Sequence, residues 1–202
     1  MPDGERSEAD AQRGAELQRA YGEALALLGE LVAGPPPVEE ILDELLAVAL
    51  TAAPGLAAAS VTALSVDGEL VTAATTDAAA QTVDELEYRL HEGPCVVALD
   101  TGVEQLVSDV RTDDRWPNFS QRALELGFSS VAGLPLVNAG ETIGALNVFG
   151  AAPGDLDEQT LAPLRRLMGP LAAALARGRA HRRYQRLLDQ RSAREDRSTA
   201  DR

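Results

Sequence analysis

The chain has one cysteine, no lysine, two histidines and seven aromatic residues in a length of 202. A lone Cys95 excludes an internal disulfide and fits a reducing cytoplasm. His91 and His181 are too isolated to form a metal cluster of ordinary spacing, and neither sits where a haem ligand is expected. The 17 glycines fall singly at turns and caps, so no glycine-rich phosphate loop is present. Ser129 and Ser130 have no neighbouring histidine to activate them. Together these gaps predict no catalysis, no metal and no cofactor. A membrane-spanning run of about 18 apolar residues is also missing. The acidic start (Asp3, Glu5, Glu8, Asp10, Glu16) is unlike a secretory leader. A cytoplasmic protein without a membrane partner is expected.

Charge is unevenly placed. All 18 basic residues are arginine, and the formal net charge is -14. Nine arginines at or after Arg177 face four acids, which leaves residues 177–202 at +5 and the preceding 176 residues at -19. The body repels nucleic acid, while the tail cluster Arg177, Arg179, Arg182, Arg183 and Arg186 reads first as a solvated helix end facing the carbonyl dipoles, partly paired with Asp189. A nucleic-acid or acidic-protein contact through this tail is the alternative.

Periodicity predicts the elements. Leu17, Tyr21, Ala24, Leu28 and Leu31 form one stripe of a helix over Ser7 to Leu31, which Pro35-Pro36-Pro37 ends. A second helix from Val38 to Pro54 turns Ile41, Leu42, Leu45, Leu46 and Ala49 inward. Strands are expected at Ala58 to Val66 and Glu69 to Thr75 around an Asp67-Gly68 turn. A helix over Thr82 to Leu90, a helical turn after Pro94 and a strand at Gln105 to Ser108 follow. Asp113 or Asp114 can cap a helix over Pro117 to Leu126, stopped by Gly127. Ser129 to Leu136 and Thr142 to Gly150 pair across Asn138-Ala139-Gly140. The last helix starts at Asp155 with Glu158 in a capping-box position, and Leu161, Leu164, Met168, Leu171 and Leu175 form its seam. Order is expected to fade after about Arg191. An antiparallel sheet with segregated helices is an α+β architecture.

Four runs carry a resemblance: Glu92-Gly93-Pro94-Cys95, Asp113-Asp114-Arg115-Trp116-Pro117, Ser130-Val131-Ala132-Gly133-Leu134-Pro135-Leu136 and Gly144-Ala145-Leu146-Asn147-Val148-Phe149. In this order they resemble the GAF portion of actinobacterial regulators in which a GAF sensor precedes an RNA-binding ANTAR module. The likeness implies a GAF domain over 38–177; periodicity and composition add an N-terminal amphipathic helix over 1–34 and an Arg-rich, partly disordered tail over 178–202. It also implies a sheet of five or six antiparallel strands, with the terminal helices on one face and, in members that bind a ligand, a small-molecule pocket on the other. With 23 residues after Arg179, no ANTAR output is expected.

On this basis Tyr88, Cys95, Trp116, Phe119, Phe128 and Asn147 are the candidate ligand-binding residues. The competing reading makes the aromatics core filler and Cys95 a small buried hydrophobe. Val96, standing where bilin-binding GAF domains have histidine after the attachment cysteine, argues against a bilin. The absence of lysine after Asn147 argues against a cyclic nucleotide, and a single thiol argues against the GAF-fold sulfoxide reductases. A symmetric homodimer is expected through Leu17, Tyr21, Leu28, Leu164, Met168, Leu171 and Leu175. The expected role is a non-catalytic signalling sensor. A small-molecule ligand and a regulatory protein partner stay open, and nucleic acid is not the favoured partner.

Overall fold

Strand β1 (Ala58–Leu64) sends Ala59, Val61 and Ala63 to one face and Ala58, Ser60 and Thr62 to the other. All six side chains are buried, so both faces of its sheet have to be covered. A computed structural model shows how; it describes residues 19, 22, 37–65 and 67–200, with side chains as far as residue 186. Only positions 19 and 22 of the predicted first helix fall among them, and Leu17, Tyr21 and Leu28 lie outside the described residues.

Five strands form one antiparallel sheet: β1, β2 (Leu70–Thr75), β3 (Gln105–Val107), β4 (Ser130–Asn138) and β5 (Glu141–Gly150), in the spatial order β2-β1-β5-β4-β3. β4 and β5 turn through Ala139 and Gly140, with φ of 51° and 85°. Two residues with positive φ match the mirror-image turn that suits strand twist. Register sets Thr62 opposite Thr72 on β2 and opposite Ala145 on β5, with Ser60 opposite Asn147.

The first face carries α1 (Val38–Ala52) and the long α5 (Glu158–Ala200). Ile41, Leu42, Leu45 and Leu46 of α1 and Leu161, Leu164, Leu167, Leu171 and Leu175 of α5 join the apolar side of β1, β4 and β5 in one aliphatic core. Each buried leucine contributes about 1.5–3 kcal/mol, which lets a chain poor in aromatics hold this layer. The second face carries α2 (Ala78–Leu90), α3 (Pro94–Thr101) and α4 (Pro117–Glu125). Here a smaller core forms from Ala58, Val83, Val107, Val131, Phe149, Phe119 of α4 and the flanking Trp116 and Phe128.

Several boundaries differ from the sequence reading for local reasons. α2 starts four residues early because the Asp77 carboxylate accepts from the Ala79 amide at 2.6 Å. Asp113 does not cap α4; its carboxylate takes the backbone and guanidinium of Arg115 instead. Glu92 does that work from a distance, accepting from the Asn118 amide and side chain at 3.1 Å each. Asp157, not Asp155, receives the first-turn amide of α5, from Thr160 at 2.8 Å. That helix continues to Ala200, through the stretch where disorder is expected. Arg182 reaches Glu39 and Arg186 clasps Asp67, so the tail arginines pair with the body.

Candidate functional site

Ser60 and Thr62 face the second layer in the middle of an otherwise apolar sheet, and that choice of residues determines what lies above them. Asn147 on β5 stands between them, its amide nitrogen donating to Thr62 Oγ1 at 2.8 Å and to the Asp84 carboxylate at 2.8 Å. Asp84 and Glu87, one turn apart on α2, point inward with Tyr88. The Thr72 hydroxyl donates to the other Asp84 oxygen at 3.1 Å, and the Tyr88 hydroxyl bonds Thr62 and Thr72 at 2.8 and 3.0 Å. Cys95, at the second position of α3, places Sγ 3.2 Å from Thr62 Oγ1 and gives its backbone N–H to Glu87 at 2.9 Å.

Glycine makes this closeness possible. Gly93 has φ of 133°, a region side chains rarely enter, and a Cβ there would overlap the Glu87 carboxylate. Gly133 on β4 lets α3 settle on the sheet, because a Cβ there would stand 2.6 Å from the Pro94 carbonyl. The Glu92-Gly93-Pro94-Cys95 run thus seats α3, positions Cys95 over Thr62 and caps α4.

The chamber is acidic and lacks a compensating cation. Asp84 and Glu87 are fully buried, and among the described residues neither has an ion-pair partner. Burial drives the Asp84 carboxyl up to about 7 against the pull of Ser60, Thr72 and Asn147. Burial, followed by repulsion from Asp84, raises Glu87 well above the carboxylate range. The Cys95 thiol and the Tyr88 phenol are also raised, first by burial and then by these acids. Two of its oxygens have no hydrogen-bond partner among the described residues: Glu87 Oε2 and Asn147 Oδ1. A buried polar atom left so costs about 1–3 kcal/mol. Outside the chamber, Tyr88 lines a groove of about 470 Å³ with Glu69, Leu70, Glu85, Arg89 and His91.

Of the predicted ligand residues, Tyr88, Cys95 and Asn147 come together in this chamber. Trp116, Phe119 and Phe128 do not: they pack in the second-face core, Trp116 edge-on to Phe119 at 6.4 Å and Phe128 against Phe149 at 4.7 Å. Arg115 lies over the Trp116 ring at 4.2 Å and donates to the Leu106 carbonyl, pinning the loop. The sequence reading misses Asp84, Glu87, Ser60, Thr62 and Thr72. The i, i+3 acids of α2 on the same stripe as Val83 and Ala80 are the signal that could have found the first two. Of the predicted dimer residues, Leu164, Leu171 and Leu175 are completely buried against the protomer's own sheet, because the seam of α5 faces inward. Met168 is half-buried at the edge of that core. Among the described residues no three His, Cys, Asp or Glu side chains converge on a metal-sized site, and no helix is long and apolar enough to cross a membrane.

A family model described as GAF domain matches residues 36–176. The chain belongs to the GAF domain family. At the level of sequence, no curated protein matches it. Among solved structures, the GAF domain region of a putative membrane protein from Geobacter sulfurreducens is 24% identical, with a TM-score of 0.58 over 69% of this chain and 93% of that one. The GAF domain of an Acinetobacter phosphoenolpyruvate-protein phosphotransferase is 16% identical, with a TM-score of 0.62 over 84% and 96%. Free methionine-R-sulfoxide reductase from Neisseria meningitidis, solved with its substrate, is 21% identical, with a TM-score of 0.58 over 80% and 91%. These likenesses establish the fold. They also correct the expectation of no catalysis. The neighbours of this GAF domain include reductases of the same fold, so a non-enzyme does not follow from the architecture.

Proposed function

We propose that this GAF domain is a signalling sensor whose ligand site is the polar chamber between β1, β2, β5 and the α2–α3 pair. The observation that carries this reading is the pair of unpartnered oxygens, Glu87 Oε2 and Asn147 Oδ1, buried on the second face. Apolar side chains would fill that space without the desolvation cost, whereas a ligand donating to both atoms recovers it. Sites of this kind combine apolar walls with a few convergent polar groups. Occupancy would move α2 and α3 relative to the sheet and so bias the arrangement of α1 and α5 on the opposite face, a population shift between packings.

Self-association belongs to the same reading, with Met168 as the contribution of α5, since Leu164, Leu171 and Leu175 are taken up by the protomer's core. Leu171→Arg would test folding and not assembly; Met168→Arg with light scattering is the cleaner experiment. The arginine tail, already paired with Glu39 and Asp67, does not favour nucleic acid.

Native mass spectrometry of freshly purified protein tests the central claim. A bound small mass that denaturation releases, or a metabolite that raises Tm and loses its effect in Asn147→Leu, is the expected result. No bound mass together with no stabilising compound in a broad thermal-shift set would overturn the sensor reading.

A further inference from the structure

The donor and acceptor balance of the chamber specifies the ligand's chemistry. Around Asp84 and Glu87 stand Ser60 and Thr62 from β1, Thr72 from β2, Glu85 and Tyr88 from α2, Cys95 from α3 and Asn147 from β5. No arginine or histidine is among them. Two oxygens of this group, Glu87 Oε2 and Asn147 Oδ1, have no hydrogen-bond partner. Asn147 is itself 1% exposed, so an unpartnered carbonyl oxygen is buried beside the acid pair.

We propose that the chamber binds a small organic cation, its ammonium, guanidinium or amidinium group donating to Glu87 Oε2, Asn147 Oδ1 and Asp84, with the rest of the molecule in the groove beside Tyr88. This rests on the sensor reading above and names its ligand class. An ammonium brings three donors and a guanidinium five, enough to reach Glu87 Oε2, Asn147 Oδ1 and Asp84 together. Both supply the countercharge that two buried carboxylates need. A neutral amide would satisfy the orphaned atoms but leave the charge uncompensated, and an anion would meet like charge. Tyr88 is the door: its ring lines the outer groove while its hydroxyl holds Thr62 and Thr72 inside. Glu69 and Glu85 on the groove favour a cation on approach, and Arg89, which also lines it, suits a polar or acidic opposite end.

Burial raises both acids and so favours their protonated forms when no ligand is bound. A cation has to displace those protons, so its affinity falls as pH drops below about 7, where Asp84 regains its own.

The test uses butylammonium, agmatine and benzamidine against the neutral partners butanol and benzamide and the anion butyrate, read by Tm and calorimetry at pH 6 and pH 8. At least one cation should raise Tm by about 2–5 °C at concentrations well above its Kd, with the neutral and anionic partners silent. Its affinity should be at least about threefold weaker at pH 6 than at pH 8. Glu87→Gln, which keeps shape and removes charge, should fold with unchanged or higher Tm yet bind that cation at least about tenfold more weakly. Equal responses to cation and neutral partner, or full binding by Glu87→Gln, would overturn the cation assignment while leaving the sensor reading intact. So would a neutral or anionic molecule found bound by native mass spectrometry. No response to any probe and no bound mass would overturn both.

Discussion

Replacing Asp84 with asparagine should stabilise the protein at pH 8 and change it little at pH 4. The folded Asp84 carboxyl titrates at about 7 against an ordinary 3.8, because burial outweighs the bonds from Ser60, Thr72 and Asn147. Between those values the folded chain holds a proton that the unfolded chain has released, so unfolding becomes more favourable as pH rises. The penalty is absent below the unfolded value, grows through the window from about 4 to about 7 and is complete above it. Three decades of proton affinity at about 1.4 kcal/mol each give about 4 kcal/mol as an upper figure, and local relaxation brings the expected gain to about 2–4 kcal/mol. The asparagine side chain would keep the shape, its carbonyl still accepting from the Asn147 amide where Asp84 does so at 2.8 Å and its amide facing Thr72 at the other position. Glu87 is coupled to Asp84 by charge, so the gain belongs to the pair. Urea unfolding followed by circular dichroism at pH 4, 6 and 8 for both chains measures it; the remaining carboxylates are common to the two and cancel in the difference. Parallel stability curves, or a variant less stable at pH 8, would refute the claim that Asp84 is an uncompensated buried acid.

Gly93→Ala should lose about 2–4 kcal/mol in the same assay, since a side chain there meets both an unfavourable φ and the Glu87 carboxylate; a loss under about 1 kcal/mol would mean that Glu87 swings aside freely. Cys95, fully buried with its thiol raised by burial, Glu87 and Asp84, should ignore Ellman's reagent in native protein and react once per chain in urea. Rapid native labelling would contradict the closed chamber. Gly144→Ala should cost about 1–3 kcal/mol by thermal melting, because its Cβ would press on the Thr62 carbonyl and on Leu175 Cδ1 at 2.6 Å. An unchanged melt would show that α5 can lift from the sheet without loss.

The fold is largely legible in the chain because strand alternation and helix stripes are local properties. Ala58 to Leu64, the hairpin at Ala139-Gly140 and the α1 leucines follow from their own neighbours in sequence. The candidate site is half legible. Tyr88, Cys95 and Asn147 can be reached through the family runs, but Thr62 and Thr72 join them only through cross-strand register, a contact the sequence does not display. Asp84 and Glu87 look like the solvated face of a helix, since acids at i and i+3 are ordinarily exposed. The helix turns that face inward because Val83 and Ala80 pack onto Ala58 and Phe149, and rotation is set by that packing. The α5 leucines read as a seam for a second copy, yet the apolar faces of β4 and β5 have the prior claim on them.

Strand β1 brings the chamber and the long helix within one backbone of each other. The Thr62 side chain bonds Tyr88, Cys95 and Asn147 on the second face, while its carbonyl lies against Gly144 on β5. On the first face Leu175 of α5 occupies the space that a Gly144 side chain would take. A tightly packed interior transmits small displacements because it has no slack to absorb them. A ligand that rewires Thr62 therefore acts where Leu175 of α5 presses against the strand pair. Farther along α5, Arg186 clasps Asp67 in the turn that joins β1 to β2, so the same helix is tied to the hairpin end of β1, just beyond Thr62. Because that outer clasp is exposed and screened by solvent, it contributes little to stability. Its value is positional: it fixes α5 to the turn between β1 and β2, the two strands between which Thr62, Thr72 and Tyr88 are bonded.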